Sequence, residues 1–189
     1  SRMLDRLAKR LRPYVPFTVL NTVWRSLDKQ GRSILDIGCG RGEPMRFINR
    51  RRRWFTTGVD IFEPYLRECQ RQGTHDNYVL CNIQRLPFRR KSFDIVLCME
   101  VLEHLEKEEG QRLIEAMEEI ARRQVIISTP VGKFEQKGHD GNPFQEHLSF
   151  WRLSELSTLG YKIRGYGLPL IGGQEGVIAH LPEPLQTLR

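Results

Sequence analysis

The feature that most constrains this chain is a regular alternation of short apolar runs with amphipathic segments of helical spacing. Apolar runs predict strands at residues 33–37, 56–60, 78–81, 93–99, 124–128 and 161–166. Between them, apolar side chains recur at helical intervals, as in Leu113, Met117 and Ile120. Strands that alternate with helices form a parallel sheet covered on both faces, so the sequence predicts an α/β fold.

The two ends of the chain depart from this alternation. Residues 1–30 predict a basic, leucine-containing helical cap, which we expect to pack over a ligand cleft. The core is expected over 31–167, whereas the Gly- and Pro-rich residues 168–189 predict an irregular segment with only 176–179 as a candidate strand. A length of 189 residues suits a single domain, and the start at Ser1 ahead of Met3 suggests a shortened chain.

Composition excludes several classes of protein. No apolar run approaches the roughly 20 residues of a transmembrane helix, and basic residues interrupt every candidate secretory signal. The four cysteines lack a CxxC spacing, so reduced thiols in a cytoplasmic protein are expected. Much of the net charge of +7 lies before residue 54. This basic N-terminal face is either a solvated helix end or a surface for an anionic partner such as RNA.

A glycine-rich turn stands where the first predicted strand ends. Gly38, Gly40 and Gly42 occupy positions where glycine permits a positive φ and a close approach of the backbone to a ligand. Asp60 ends the next strand about twenty residues further on, where a carboxylate can accept both hydroxyls of a ribose. The sequence therefore predicts a nucleoside-containing cofactor at the strand ends.

Charges around this turn distinguish between nucleoside cofactors. A dinucleotide motif would have a third glycine where this chain has Glu43, and an anionic side chain at a helix N-terminus opposes a pyrophosphate. S-adenosylmethionine carries no phosphate, and its ammonium and sulfonium groups are compatible with Asp36 and Glu43. The electrostatics favour this methyl donor over NAD.

An ordered set of motifs resembles the class I S-adenosylmethionine-dependent methyltransferases. It begins with Ile34-Leu35-Asp36-Ile37-Gly38-Cys39-Gly40-Arg41-Gly42 and continues through Val59-Asp60, Cys81-Asn82-Ile83, Leu86-Pro87-Phe88, Phe93-Asp94-Ile95-Val96 and Ser128-Thr129-Pro130. The resemblance covers roughly residues 30 to 167. It implies a Rossmann-like methyltransferase fold with a mostly parallel sheet, whose last antiparallel strand we expect to be missing or atypical here.

The resemblance also implies which residues hold the cofactor. Gly38 and Gly40 would line its methionine part, Asp60 would bind the ribose, and Asn82 with Ile83 would hold the adenine. Asp is commoner than Asn at position 82, but an amide oxygen can accept from the adenine amino group. The alternative for Asn82 is a simple turn residue. The other residues implied at the cofactor are Asp36, Cys39, Ile61 and Met99.

Two polar clusters follow the fourth and fifth predicted strands. The first contains Glu100, Glu103 and His104, which would share one face if the segment is helical, and the second contains His147. They resemble the O-methyltransferases of quinone biosynthesis and the small-RNA terminal 2′-O-methyltransferases, where an ExxEH element and a later His hold a divalent metal. His104 and His147 are our candidate catalytic bases. A metal held by the four residues stays open, and none is assigned.

The sequence thus predicts an S-adenosylmethionine-dependent enzyme that methylates a small-molecule acceptor by in-line displacement, at oxygen if a histidine acts as base. One alternative is an RNA methyltransferase that uses the basic N-terminal face. Another is a non-catalytic scaffold with the same fold, which the intact glycine turn disfavours. The Gly-rich loop 132–143, with His139 and Asp140, is expected to cover the substrate.

Overall fold

A seven-stranded sheet forms the centre of the protein in the computed structural model, which describes residues 18–130, 137, 141–166 and 176–182. The strands are β1 (Ser33–Ile37), β2 (Phe55–Asp60), β3 (Asn77–Leu80), β4 (Phe93–Met99), β5 (Ala121–Pro130), β6 (Lys162–Tyr166) and β7 (Gly176–Pro182). Their order is β3-β2-β1-β4-β5-β7-β6. The first five pair in parallel, and β7 is antiparallel to both of its neighbours.

Five α-helices lie among the described residues. They are α1 (Val19–Ser26), α2 (Glu43–Ile48), α3 (Glu63–Arg71), α4 (Lys107–Ile120) and α5 (Leu153–Thr158). Proline stands in the first turn of both α2 and α3, where its missing N–H would have had no intrahelical partner. None of these helices combines the length and apolarity needed to cross a membrane.

Alternating side chains along the strands build two apolar cores, one on each face of the sheet. Ile34 and Ile126 pack with Val23 of α1 and Met45 of α2. The side chains that alternate with them on the strands point to the opposite face and pack against Leu113, Ile114 and Met117 of α4. These side chains are Leu35, Val96, Cys98, Val125 and Ile127. The predicted α/β fold, with helices on both faces of a mostly parallel sheet, is confirmed.

The last antiparallel strand is present, so the expectation that it is missing or atypical is wrong. Strand β7 pairs along its whole length with β5, from Gly176 opposite Pro130 to Pro182 opposite Gln124. The candidate strand at 176–179 is present, and the prediction of an irregular segment is wrong for 180–182, because β5, at ten residues, extends beyond its predicted bounds of 124–128 and offers a long ladder. The expected N-terminal cap before Thr18, and His139 with Asp140, lie outside the described residues.

Gly110 of α4 shows how closely this helix packs against Trp151. A Cβ at this position would lie 2.5 Å from Cζ2 of the buried Trp151. A Gly→Ala change inside a helix normally stabilises a protein by about 1 kcal/mol. Here we expect Gly110→Ala to lower the free energy of unfolding by about 1–3 kcal/mol, because the added methyl overpacks the core. Urea denaturation measures the change.

The matched control for this substitution is Gln111→Ala, at an exposed position of the same helix. It should change the free energy of unfolding by no more than about 0.5 kcal/mol. A Gly110→Ala protein as stable as the wild type would contradict the close packing of α4 against Trp151.

Candidate active site

Segments from four strands meet at one edge of the sheet, because β1 to β4 run parallel and their carboxyl ends coincide. The glycine turn follows β1, Asp60 ends β2, Asn82 follows β3 and residues 100–104 follow β4. The order of the strands reverses between β1 and β4, the usual position of a ligand crevice in such sheets. The fold thus brings the sequence-predicted site residues to a single edge.

The glycine turn adopts a backbone that other residues rarely take. Gly38 and Gly40 have φ values of +68° and +52°. A Cβ on Gly38 would lie 2.4 Å from Cγ2 of Val101, whereas a Cβ on Gly40 would meet no atom within 4 Å. Gly38 is therefore required by packing, and Gly40 borders open space that a side chain would enter. This is the cradle expected for the methionine part of the cofactor.

Asp60 joins the end of β2 to this turn. Its Oδ2 accepts a hydrogen bond from the N–H of Gly40 and its Oδ1 accepts one from the N–H of Phe62, both at 2.8 Å. Burial raises the pKa of Asp60, and the two N–H donors act in the opposite direction. Each carboxylate oxygen keeps a further lone pair, so the residue suits the ribose hydroxyls for which it was predicted.

Asp36 lies deeper than the sequence indicates. It is buried on β1, and its Oδ2 lies 3.0 Å from Nε2 of His75. His75 was not predicted as a site residue, since a single histidine before β3 belongs to no recognisable motif. Cys39 and Met99 are buried and Ile61 is half-buried, all beside the glycine turn or at a strand end. Their contact with the cofactor stays a prediction, as does that of Asp36.

Asn82 makes the local turn that was its alternative role. Its side-chain oxygen accepts a hydrogen bond from the N–H of Gln84 at 2.9 Å and caps a short 3₁₀ turn over Ile83–Arg85. Asn82 is exposed and Ile83 is buried at the margin of the core. The same oxygen has a second lone pair, so the predicted contact with adenine stays a prediction.

The segment after β4 is not an α-helix, so helical periodicity does not align its polar residues. Glu100 has a left-handed backbone with φ +53°, and only Leu102–His104 form a 3₁₀ turn. The Glu100 carboxylate accepts a hydrogen bond from the Ser128 hydroxyl at 2.7 Å. A left-handed backbone at a residue other than glycine carries strain, which proteins tend to keep at functional sites.

Tertiary contacts bring the two predicted catalytic histidines together. The backbone carbonyl of Glu103 accepts hydrogen bonds from the N–H groups of Leu148 and Ser149, at 2.8 and 3.1 Å. This anchors the later segment to the end of β4 and sets the rings of His104 and His147 4.9 Å apart. Candidate ligand atoms of Glu103, His104 and His147 all lie within 4.8 Å of one another.

The environment shifts the pKa values of two of these groups. Burial, with the nearby charge of Glu100, raises the pKa of Glu103 to about 8. Burial lowers the pKa of His104, and the neighbouring His147 lowers it further, against the opposite effect of a hydrogen bond with the Glu146 carbonyl. Perturbed groups clustered at a strand end are typical of a catalytic site.

Comparisons with known proteins agree with this geometry. Residues 35–127 match the family model described as "Methyltransferase domain". The probable tRNA methyltransferase 9B of Bos taurus is 30% identical over 143 residues, which cover 71% of this chain and 30% of that protein. The ubiquinone biosynthesis O-methyltransferase of Neisseria meningitidis serogroup C (strain 053442) is 32% identical over 84 residues, 41% of this chain and 35% of that protein. The matched stretches thus span about a third of these curated relatives.

A solved structure has the same fold. The magnesium protoporphyrin IX methyltransferase of Synechocystis PCC 6803, crystallised with bound SAH, superposes with a TM-score of 0.63 at 18% sequence identity. The superposition covers 97% of this chain and 95% of that one.

Asp60 is the first residue to test. We expect Asp60→Ala to weaken the binding of S-adenosylhomocysteine (SAH) by about 1.5–3 kcal/mol, because a charged hydrogen-bond partner is lost. Isothermal titration calorimetry measures the affinity. The exposed Glu119→Ala removes the same charge at the opposite end of the sheet, just before the start of β5, and should leave the affinity unchanged. Unaltered binding by Asp60→Ala would contradict the ribose assignment.

Gly40 offers a second test with a close control. Gly40 and Gly73 both have positive φ and no atom within 4 Å of an added Cβ, so an alanine at either position strains the backbone by about 1–2 kcal/mol. Only Gly40 belongs to the turn that is predicted to hold the cofactor. We expect Gly40→Ala to lower SAH affinity at least about tenfold and Gly73→Ala to leave it unchanged. Equal effects of the two changes on calorimetric affinity would rule out the cradle.

Motif order, strand order and family match therefore point to one assignment. The glycine turn and Asp60 lie together at the carboxyl ends of β1 and β2, where the sequence predicts a nucleoside cofactor, and the "Methyltransferase domain" match includes these residues. The chain is therefore similar to the S-adenosylmethionine-dependent methyltransferases and matches a methyltransferase-domain family model over residues 35–127.

Proposed function

We propose that this protein transfers a methyl group from S-adenosylmethionine to an oxygen atom of a small-molecule acceptor, with the His104–His147 pair as base. The observation that carries this proposal is the convergence of the two rings, 4.9 Å apart, after β4 and beside the cofactor edge. A general base is needed when a hydroxyl acceptor must lose its proton. The sulfonium of the bound cofactor supplies an activated methyl group and a neutral leaving group.

His104 is in a suitable protonation state for a base. Its Nδ1 lies 3.0 Å from the backbone carbonyl of Glu146, which can only accept a hydrogen bond. Nδ1 therefore carries the proton, and Nε2 of the neutral ring bears the free lone pair. The lowered pKa of His104 keeps the ring neutral at physiological pH, so Nε2 can take a proton from an acceptor hydroxyl.

Glu103 supports this pair through its backbone and its carboxyl group. Its carbonyl holds the segment that bears His147, and its carboxyl group lies 3.3 Å from the Thr129 hydroxyl. Because its pKa is raised to about 8, the Glu103 side chain is largely uncharged near neutral pH and stabilises an imidazolium only as the pH rises above that value. Glu103 is accordingly a positioning residue for the two histidines.

The same three side chains fit a divalent cation. One carboxylate and two imidazoles with ligand atoms within 4.8 Å of one another suit a metal such as Mg²⁺, Mn²⁺ or Zn²⁺. When bound, such an ion would lower the pKa of an acceptor hydroxyl. Glu103, His104 and His147 would then act as ligands, and the acceptor would still be an oxygen.

A second candidate function is methylation of RNA. Lys29, Arg50 and Arg53 stack over Trp24 and Trp54, and cations with aromatic faces suit a nucleic acid. These residues precede β1 and β2, however, so they lie at the amino ends of the strands, opposite the cofactor edge. An RNA in contact with both edges would have to span about 17 Å or more, the length of β1. This position favours the small-molecule proposal.

The histidines provide the test of the proposal. We expect His104→Gln and His147→Gln to reduce turnover by about 10²–10⁴-fold, the usual contribution of a general base, while SAH affinity stays unchanged. Turnover is measured as radiolabelled methyl groups transferred from S-adenosylmethionine to catechol or hydroxybenzoate. Glu146→Gln, an exposed change in the same segment, is the control and should keep wild-type turnover.

Three outcomes separate the alternatives. Wild-type turnover in both histidine variants, or a product methylated at nitrogen or carbon, would contradict the proposal. Loss of activity with a chelator, restored by added metal, would assign the three side chains as ligands. Binding of a short single-stranded RNA that weakens steeply with salt would favour the RNA candidate, and no binding at low salt would remove it.

A further inference from the structure

A chain of buried polar side chains lies beneath the glycine turn and takes no part in the proposed methyl transfer. Oδ2 of Asp36 lies 3.0 Å from Nε2 of His75, and Nδ1 of His75 lies 3.4 Å from Sγ of Cys69. The Thr74 hydroxyl lies 2.9 Å from both the Cys69 sulfur and His75 Nδ1. Cys39 packs with Cys69 in one buried cluster, together with Leu66. Cys39 and Cys69 are thus neighbours at the end of the Asp36–His75 relay, the chain of contacts that runs from Asp36 through His75 to Cys69.

The fold makes room for this arrangement. Asp36 comes from β1, Cys69 from the last turn of α3, and His75 from the segment before β3. Gly58 of β2 lies beside them, and a Cβ there would lie 3.0 Å from the Cys39 sulfur and 3.1 Å from the His75 ring. A larger residue at position 58 would therefore push the thiol and the imidazole apart.

The surroundings make one of the two thiols acidic. Hydrogen bonds from Cys39, His75 and Thr74 outweigh the effect of burial and lower the pKa of Cys69 to about 5. Burial lowers the pKa of His75, but hydrogen bonds with Asp36 and Cys69 outweigh it and raise that pKa to about 9. The neighbouring Cys69 sulfur and burial raise the pKa of Cys39. At neutral pH the result is a Cys69 thiolate beside a His75 imidazolium.

We propose that Cys39 and Cys69 are a redox modification site that a hydroperoxide converts into a disulfide, and that this bond displaces the glycine turn and weakens cofactor binding. The Cys69 thiolate attacks one peroxide oxygen, the O–O bond breaks, and the departing hydroxide takes the proton of His75 to form water. Cys69 becomes a sulfenic acid. The Cys39 sulfur then attacks the Cys69 sulfur, the S–O bond breaks, and water leaves with the Cys39 proton. Two thiols are oxidised and one hydrogen peroxide is reduced to two waters.

The position of Cys39 links this chemistry to the cofactor. Cys39 stands between Gly38 and Gly40. A disulfide bond to Cys69 of α3 would therefore pull the glycine turn out of the position in which the hydrogen bond from Gly40 to Asp60 holds it. A shift of about 1 Å in such a binding loop is enough to weaken a ligand strongly. By linkage, a bound cofactor should oppose the disulfide to the same degree. The proposal rests on cofactor binding by the glycine turn and is independent of the acceptor.

The experiment uses the whole chain and a small excess of hydrogen peroxide. We expect an intact mass lower by about 2 Da, a Cys39–Cys69 cross-linked peptide, and an SAH affinity at least about tenfold weaker. Dithiothreitol should restore the mass and the affinity, and prior addition of SAH should slow the cross-linking. Cys81→Ser, which removes a more accessible thiol of the protein, is the control and should cross-link as the wild type does.

His75 is a positioning residue in this scheme, and a pH profile tests it. Cys39 and His75 face Cys69 directly, Asp36 reaches it through His75, and Asp60 lies beyond Cys39. Between about pH 6 and 8 the wild-type cross-linking rate should change little, since Cys69 is ionised and His75 is protonated over this range. In His75→Gln the rate should rise with pH towards the ordinary thiol pKa of about 8.5. Identical profiles would overturn the relay.

Other results would overturn the proposal itself. Oxidation confined to Cys81, with no Cys39–Cys69 peptide in the wild type, would show that the two cysteines are not a modification site. A disulfide that leaves SAH affinity intact would show that the oxidation does not affect cofactor binding. If the reduced, untreated protein fails to bind SAH, the cofactor assignment fails first, and the peptide map still reports separately on the thiols.

Discussion

The hydrogen bond from the Gly40 N–H to the Asp60 carboxylate is the contact on which the rest of this site depends. It ties the turn after β1 to the end of β2. In this position no atom lies within 4 Å of a Cβ added to Gly40. A second N–H, from Phe62, fixes the other carboxylate oxygen. Because a buried carboxylate needs such donors, the same two bonds that shape the cradle also hold Asp60 in place without a ligand.

The active site is divided between a rigid half and a half built from loops. The predicted cofactor residues lie directly at strand ends, where the parallel ladders define their positions. The histidines depend instead on two backbone hydrogen bonds to the Glu103 carbonyl, which connect segments more than forty residues apart. Acceptor specificity in this fold is carried by such loops, so the same cofactor half can serve different acceptors.

The proposed oxidation of Cys39 and Cys69 would make the rigid half of the site sensitive to peroxide. Cys39 belongs to the cradle itself, and Cys69 is held by an ion pair whose far end, Asp36, is also a predicted cofactor residue. A change in the charge of Cys69 would therefore act, through His75, on a carboxylate that is predicted to lie near the methionine end of the cofactor. Coupling over a few buried contacts of this kind is strong because no water screens it.

Local pattern and ordered motifs determined a large part of this protein. Strands β1 and β4 have their predicted bounds, and the glycine turn with Asp60 was identified from its spacing, because these features arise from contiguous residues. The tertiary structure decided what depends on distant partners. Strand β7 exists because β5 offers it a ladder, and His75 meets an aspartate 39 residues away. Side chains that meet only after the chain has folded leave no periodic trace along the sequence, so only the structure identifies them.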